Sequence, residues 1–135
     1  MGETNSCAVC QNPCHRFAAL CKRCKKWVDR LDTRRKANKP ARIKALKQAW
    51  DGRGFRCYYT GVKLNESDHR SPLYLTFDHR IPRQQEDIVV AAACMNDMKS
   101  DLTEKEFRRM VLELARHFEG GQFDKRAFDL EHWRR

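Results

Sequence analysis

Two alternating stretches and one continuous apolar run predict β-strands in the middle of the chain. Apolar side chains occupy every second position in residues 55–59 and again in residues 73–77. This is the period of a half-buried strand. Residues 88–94 form an uninterrupted apolar run, which suits a further strand and the entry to a helix. The pattern therefore predicts a small central sheet followed by a helix.

Helical spacing flanks this central region on its N-terminal side. Residues 25–36 place cations between apolar residues three or four positions apart, which predicts an amphipathic helix. A second helix is predicted from Pro40 to Trp50, because proline suits a first helical turn. Residues 37–39 are expected to break the two helices apart, and the two glycines of residues 51–54 to end the second one.

A third helix is predicted after the central region. Thr103 and Glu106 have the spacing of a capping box, and the glycine pair at residues 120–121 marks the end of the helix. Its apolar positions, which we expect to pack on the core, are Phe107, Met110, Val111, Leu114 and Phe118. The remaining tail is expected to fold as a short helix against the body, using Phe123, Phe128 and Trp133.

Near the N-terminus, two Cys-x-x-Cys pairs bracket a short loop, which is the spacing of a structural zinc site. The four cysteines are Cys7, Cys10, Cys21 and Cys24. Cys14 and His15 lie between the pairs, and either could replace one ligand. A disulfide-stapled module is the alternative, although the seven cysteines of the chain cannot all pair within it.

The net charge of +10 is concentrated in one segment of the chain. Residues 16–56 carry 15 Lys or Arg against three acidic residues, which points to a polyanionic partner. A merely solvated basic helix face is the alternative, and steep salt dependence of binding would exclude it. The residues expected to contact DNA are Lys22, Arg23, Lys25, Lys26, Arg30, Arg34, Arg35, Lys36, Arg42, Lys44, Lys47, Arg80 and Arg83.

These elements predict an α+β protein made of four parts. They are a zinc-binding module (1–25), a basic helical segment (26–54), a sheet-and-helix core (55–102) and C-terminal helices (103–135). No apolar run approaches the ~20 residues of a membrane span, and no signal peptide precedes the cysteines. We therefore expect a cytoplasmic protein that is neither membrane-bound nor secreted.

The most informative group of residues lies at the end of the second predicted strand. Asp78 and His79 are followed by Asn96 and Lys99, which share one face of the predicted helix. A neutral imidazole can deprotonate water, and carboxylate and amide oxygens suit Mg²⁺ or Mn²⁺. Lys99 could hold a phosphate. These residues predict metal-dependent hydrolysis of a phosphodiester.

Residues 55–101 resemble the HNH family of endonucleases, also called His-Me finger or ββα-metal nucleases. The resemblance rests on residues 59–61 (YTG), 78–82 (DHRIP), 89–90 (VV) and 96–101 (NDMKSD). It implies a ββα-metal core in which His79 is the general base. It also implies that Asp78 and Asn96 bind the catalytic metal, beside a separate N-terminal zinc module.

The sequence departs from the family pattern at two places. Many members hold a zinc inside the ββα unit with two Cys-x-x-Cys pairs, but here only Cys57 remains, and Thr60, Ala92 and Met95 occupy the other ligand positions. This inner zinc is therefore expected to be absent. At the middle asparagine of the family name stands Asp87, which can accept similar backbone hydrogen bonds.

The sequence leads to a DNA endonuclease of the nicking, homing or restriction type. One such site cuts one strand, so a double-strand break would require a homodimer or two successive events. The alternatives are a non-catalytic zinc-finger DNA-binding protein with a decayed nuclease fold, and a nuclease directed at RNA. His69 is expected to be a loop residue, and His117 and His132 receive no role.

Overall fold

The computed structural model describes residues 4–30, 38–82, 84 and 86–128. They form an α+β structure with four α-helices and two small antiparallel sheets, as the sequence predicts at this level. None of the helices in these ranges combines the length and the apolar character of a membrane span.

The first sheet is a minimal ribbon in the predicted zinc-binding module. Strand β1 (Asn5–Ser6) pairs with β2 (Pro13–Cys14), and the turn between them carries the first two cysteines. The second pair of cysteines stands at the start of helix α1 (Lys22–Val28), for which Cys21 is the N-cap.

Helix α1 differs from its predicted bounds of 25–36. It begins three residues earlier and ends at Val28, where the N–H of Asp29 donates to the carbonyl oxygens of Lys25 and Trp27 and so closes the last turn. Residues 31–37 lie outside the described ranges. The predicted apolar face is present in part, because Trp27 and Val28 are buried.

Helix α2 (Lys39–Ala49) confirms the prediction from sequence. Asn38 caps it by accepting a hydrogen bond from the backbone N–H of Ala41, and the proline falls in the first turn. Trp50 is the C-cap, and beyond it Asp51 accepts hydrogen bonds from the N–H groups of Arg53 and Gly54.

The predicted strand at residues 55–59 is wrong. Phe55 and Arg56 form only isolated bridges, to Trp50 and Lys63, and residues 58–60 lie in a turn. Phe55 and Cys57 are both buried, although neither belongs to a strand. Burial of every second residue therefore gave the same sequence pattern as a half-buried strand.

The central sheet follows the prediction closely. Strand β3 (Leu75–His79) pairs antiparallel with β4 (Ile88–Ala92), from Leu75 opposite Ala92 to His79 opposite Ile88. Helix α3 (Ala93–Lys99) begins directly after β4 and packs against both strands. The chain thus forms a hairpin followed by a helix, with Asp78 and His79 at the end of β3.

One hydrophobic core joins the zinc-binding module to the central sheet. Its buried members come from the cysteine turn, from both N-terminal helices and from the sheet, and they include Cys7, Cys24, Trp27, Leu46, Phe55, Leu75 and Val90. The indole ring of Trp27 meets Tyr74 edge-on at a centroid distance of 5.4 Å. The module is therefore packed into the body of the protein instead of being tethered beside it.

Helix α4 (Glu104–Phe118) has the predicted capping box, in which Thr103 and Glu106 exchange side-chain-to-backbone hydrogen bonds. The expected packing of its apolar face is wrong beyond the first turns. Phe107 is buried, but Val111, Leu114 and Phe118 are exposed. Among the described elements, α4 contacts mainly the short helix at residues 125–128, which leaves these apolar side chains exposed.

The described part of the tail forms a short 3₁₀ helix (Lys125–Phe128), in which Ala127 is buried. The rings of Phe123 and Phe128 stack at 4.9 Å between centroids. Trp133 and His132 lie outside the described residues.

Arg42 is a structural residue, in contrast to its predicted role in DNA contact. Its side chain is buried on α2, and Nη1 donates to the backbone carbonyl oxygens of Trp27, Val28 and Arg30. The guanidinium therefore satisfies carbonyls at the C-terminal end of α1, where a cation is favourable.

We expect Arg42→Met to lower the free energy of unfolding by ~1.5–3 kcal/mol, the range for hydrogen bonds made by charged groups. Urea titration measures this loss. The matched control is Lys44→Met on the same helix, whose exposed side chain should change stability by no more than ~0.5 kcal/mol. Equal effects of the two substitutions would contradict the structural role of Arg42.

Candidate functional site

The four predicted zinc ligands come together in one cluster. The Sγ atoms of Cys7, Cys10, Cys21 and Cys24 lie within 4.8 Å of one another, and those of Cys10 and Cys21 are 3.7 Å apart. Tetrahedral zinc with Zn–S bonds of ~2.3 Å places its sulfurs about 3.8 Å apart. The cluster could therefore hold a structural metal such as zinc.

Backbone hydrogen bonds fix the first pair of ligands. The N–H of Cys7 donates to the carbonyl of Asn12 at 2.9 Å, and the N–H of Gln11 donates to the carbonyl of Cys7 at 2.9 Å. Gln11 has a φ of 62°, the left-handed conformation that lets the chain reverse tightly here. The turn directs both sulfurs inward.

The cluster favours bound cations electrostatically. Burial raises the pKa of the Cys24 thiol, and its cysteine neighbours raise it further. For Cys7, burial also acts upward, but backbone N–H donors at Cys10, Cys21 and Val9 prevail and lower the pKa to about 6. Burial and the neighbouring cysteines thus oppose deprotonation of Cys24, and a bound cation would favour it.

The alternatives for the fourth ligand lie outside the cluster. The thiol of Cys14 faces the carbonyl oxygen of Ala18 at 3.5 Å. The Nδ1 atom of His15 accepts a hydrogen bond from the backbone N–H of Phe17. All seven cysteines are free thiols, so the structure does not contain the disulfide-stapled alternative.

A second candidate site lies at the end of β3, where Asp78 is almost completely buried with 4% of its surface exposed. Its Oδ2 atom accepts a hydrogen bond from the hydroxyl of Tyr59 and lies 3.3 Å from Nζ of Lys99. Burial and the adjacent carboxylate raise the pKa of Tyr59, which keeps its hydroxyl a donor. Among the described residues no hydrogen bond reaches Oδ1 of Asp78.

Lys99 lies in the interior and not at a phosphate-accessible surface. It is completely buried, and besides Asp78 its ammonium group donates to the backbone carbonyl of His79 at 2.7 Å. Helix α3 packs against β3, so the helix face carrying Lys99 turns toward the strand. In this position Lys99 pairs with the Asp78 carboxylate in the protein interior.

Asn96 and His79 are the other two predicted residues of this second candidate site. The Nδ2 atom of Asn96 donates to Thr76 Oγ1 and to the carbonyl of Phe77, each at 3.3 Å, which fixes the amide beside the strand position before Asp78. Its Oδ1 accepts no hydrogen bond from the described residues. His79 is half-buried, and its ring is likewise outside the hydrogen-bond network of the described residues.

We expect Lys99→Met to destabilise the protein by ~3–5 kcal/mol, because it leaves the Asp78 carboxylate buried without its cation. Replacing both partners, as in Lys99→Met with Asp78→Leu, should restore much of that stability, since apolar residues need no charge partner. Chemical denaturation without added metal measures both. Lys105→Met, on an exposed position of α4, is the control. A cost below ~1 kcal/mol for the single substitution would contradict the ion pair.

Asp87, at the middle asparagine position of the HNH pattern, closes the loop between β3 and β4. Its backbone carbonyl accepts a hydrogen bond from the N–H of Arg80 at 3.1 Å, and its carboxylate lies 3.2 Å from Nε of Arg80. Arg80 also lies 3.4 Å from the carboxylate of Glu104. Arg80, expected to contact DNA, is therefore paired with two acids, and Arg83 lies outside the described residues.

Residues 57–62 repeat the backbone of the first cysteine turn. The N–H of Cys57 donates to the carbonyl of Val62 at 2.9 Å, the N–H of Gly61 donates to the carbonyl of Cys57 at 2.8 Å, and Gly61 has a φ of 71°. Thr60 stands where the first turn has its second cysteine. The N–H of Ala92 donates to the Cys57 sulfur at 3.3 Å, which ties this turn to β4.

Glu66 is a structural residue that the sequence did not single out. It accepts two hydrogen bonds from Arg23 and one from the indole N–H of Trp27. Burial acts to raise the pKa of Glu66, but the Arg23 guanidinium outweighs it and holds the pKa below its usual value. Arg23 also lies over the ring of Trp50, the C-cap of α2. Through Glu66 and Trp50 it joins α1 to the central region and to α2.

The other basic residues expected to contact DNA remain at the surface where they are described. Apart from Arg23, the predicted DNA contacts that are exposed on α1, on α2 or just after α1 are Lys22, Lys25, Lys26, Arg30, Lys44 and Lys47. Arg34, Arg35 and Lys36 lie outside the described residues.

Comparison of the chain with protein-family models, with curated proteins and with solved structures finds no match in any of the three. The functional argument therefore depends on the residues and their geometry.

Proposed function

We propose that this protein is a metal-dependent endonuclease of the HNH type that hydrolyses phosphodiester bonds in double-stranded DNA. The observation that carries the proposal is the hairpin-and-helix unit of β3, β4 and α3. It fixes a buried carboxylate, Asp78, next to His79 and sets the Asn96 amide against the same strand.

In this mechanism His79 takes a proton from the attacking water. Its ring is half-buried and has no structural hydrogen bond among the described residues, so it is available to a substrate. Asp78 and Asn96 would hold one Mg²⁺ or Mn²⁺ through their hard oxygen atoms. A bound divalent ion supplies Lewis-acid stabilisation of the scissile phosphate and its leaving oxygen.

Lys99 and Tyr59 have supporting roles in the proposal. Both bind Oδ2 of Asp78, which leaves Oδ1 as the oxygen for a metal. Because the Lys99 ammonium is buried against this carboxylate, it orients Asp78 and does not contact the DNA itself.

The DNA would be held by the basic surface of α1 and α2, and zinc in the four-cysteine cluster would keep α1 in place. Contacts from Lys22, Lys25, Lys26, Lys44 and Lys47 to phosphates require no particular base sequence. Binding through these cations must weaken steeply as salt rises.

Incubation of the purified protein with supercoiled plasmid tests the proposal. With Mg²⁺ or Mn²⁺ we expect nicked circles to appear first and linear DNA later, and we expect no product when these ions are left out. Parallel digestion of a structured RNA separates DNA-directed from RNA-directed cleavage.

One observation favours a second candidate, a non-catalytic zinc-finger DNA-binding protein. Asp78 is already neutralised by Lys99 and hydrogen-bonded by Tyr59, so its burial is satisfied without a metal. Tight, salt-sensitive DNA binding with no cleavage across metals and substrates would support this candidate over the nuclease.

A further inference from the structure

Phe17 is an aromatic residue outside the hydrophobic core that the described residues form. It lies in the loop between the two cysteine pairs, and 80% of its surface is exposed. Its neighbours are polar groups that also face solvent: the His15 ring at a centroid distance of 5.5 Å and the Arg16 guanidinium 4.6 Å above the ring. Neither contact removes the ring from water.

The loop that presents Phe17 is held firmly at its base. The side-chain amide of Asn5 donates to the carbonyl oxygens of Arg16 and Ala18, at 2.7 and 3.1 Å. The N–H of Ala18 donates to the carbonyl of His15, and the N–H of Ala8 donates to that of Ala19. A ring on a fixed loop loses little conformational freedom when it binds a flat partner.

The surface around Phe17 is suited to a polyanion. Residues 4–28 contain no Asp or Glu, whereas they contain five cations, Arg16, Lys22, Arg23, Lys25 and Lys26. A shallow groove of about 360 Å³ lies next to the loop, lined in part by His15, Lys22 and Lys25. Arg23 is paired with Glu66, and Asp29 lies between Lys25 and Lys39. The remaining cations, Arg16, Lys22 and Lys26, still outnumber the two excess negative charges of a zinc–tetrathiolate centre.

We propose that Phe17 is a nucleic-acid contact: its ring stacks on the face of a base at a kinked or unpaired step, while Arg16 contacts a neighbouring phosphate. Aromatic rings combined with cations on one surface are the arrangement by which proteins stack bases and follow a phosphate backbone. The proposal rests on the proposed function in taking nucleic acid as the partner. It adds a stacking contact on the zinc-binding module, made by a residue that has no part in the proposed cleavage.

Binding to a labelled duplex that carries one unpaired nucleotide, without Mg²⁺ or Mn²⁺, tests this contact. Phe17→Ala is expected to weaken binding about 5- to 150-fold, the equivalent of ~1–3 kcal/mol for a lost stack, without changing the slope of affinity against salt. Phe17→Trp should retain binding. Arg16→Ala should instead reduce the salt slope by about one phosphate contact.

Phe118→Ala is the matched control, because Phe118 has 79% of its surface exposed but lies at the far end of α4. It should bind as the wild type does. The stacking contact would be overturned if Phe17→Ala bound with wild-type affinity while Lys25→Ala lost binding. That result would still support nucleic-acid binding by this surface. Absence of binding by the wild-type protein would overturn both. A monomer–dimer change in Phe17→Ala with unaltered binding would assign the ring to a second copy of the chain and overturn the proposal.

Discussion

Removal of metal from the four-cysteine cluster is expected to unfold the central sheet together with the zinc-binding module. Cys7 and Cys24 belong to the same buried core as Phe55, Leu75 and Val90. The Arg23–Glu66 pair also joins α1 to the central region. Structural zinc contributes ~10–16 kcal/mol of apparent free energy in zinc-finger peptides, and a small domain has only ~5–15 kcal/mol in total.

Two measurements check this expectation. Elemental analysis should find about one zinc per chain, and hydrogen exchange after treatment with a zinc chelator should show loss of protection in β3 and β4 as well as in α1. Protection that persists in the sheet while α1 exchanges freely would contradict a shared folding unit.

A pair of cysteine substitutions separates metal binding from the loss of a thiol. Cys24→Ser removes a ligand at a completely buried position and should give the same global unfolding. Cys94→Ser changes a half-buried cysteine outside the cluster and should leave zinc content and most of the stability unchanged. Equal losses of zinc in both variants would contradict the assignment of the ligands.

Replacement of His79, the proposed general base, is expected to give the largest loss of catalysis. His79→Ala should reduce plasmid nicking by about 10²- to 10⁴-fold, the usual contribution of a positioned acid–base group. Affinity for DNA should remain, because the His79 ring makes no hydrogen bond to the described residues and its backbone stays in β3. Nicking rates and filter binding with the same DNA measure the two effects separately.

His69→Ala provides the control for this substitution. His69 lies in an exposed loop ten positions earlier, so its removal should leave nicking unchanged. Equal nicking by wild type and His79→Ala would remove His79 from the mechanism. Circular dichroism would show whether His79→Ala loses nicking because it fails to fold. In that case His79→Gln, which keeps a polar side chain of similar size, would replace the alanine variant.

Several elements could be predicted from the sequence because their causes are local. The proline at the start of α2, the capping box of α4 and the alternation that leads to Asp78 all act within a few residues. The Cys-x-x-Cys spacing likewise places two sulfurs on one turn, whatever surrounds it. Residues 55–59 were misjudged as a strand, because Phe55 and Cys57 are buried in the core without belonging to one.

The sequence by itself determined the α+β composition, the central hairpin with its following helix, the pairs of cysteines and the concentration of positive charge. Only the tertiary structure decided what individual charges do. It turned Lys99 toward Asp78, Arg42 toward the carbonyls of α1 and Arg23 toward Glu66. The physical reason is that the partners in each pair are more than ten residues apart, so the contact depends on how helices pack on strands and leaves no periodic signal in the sequence.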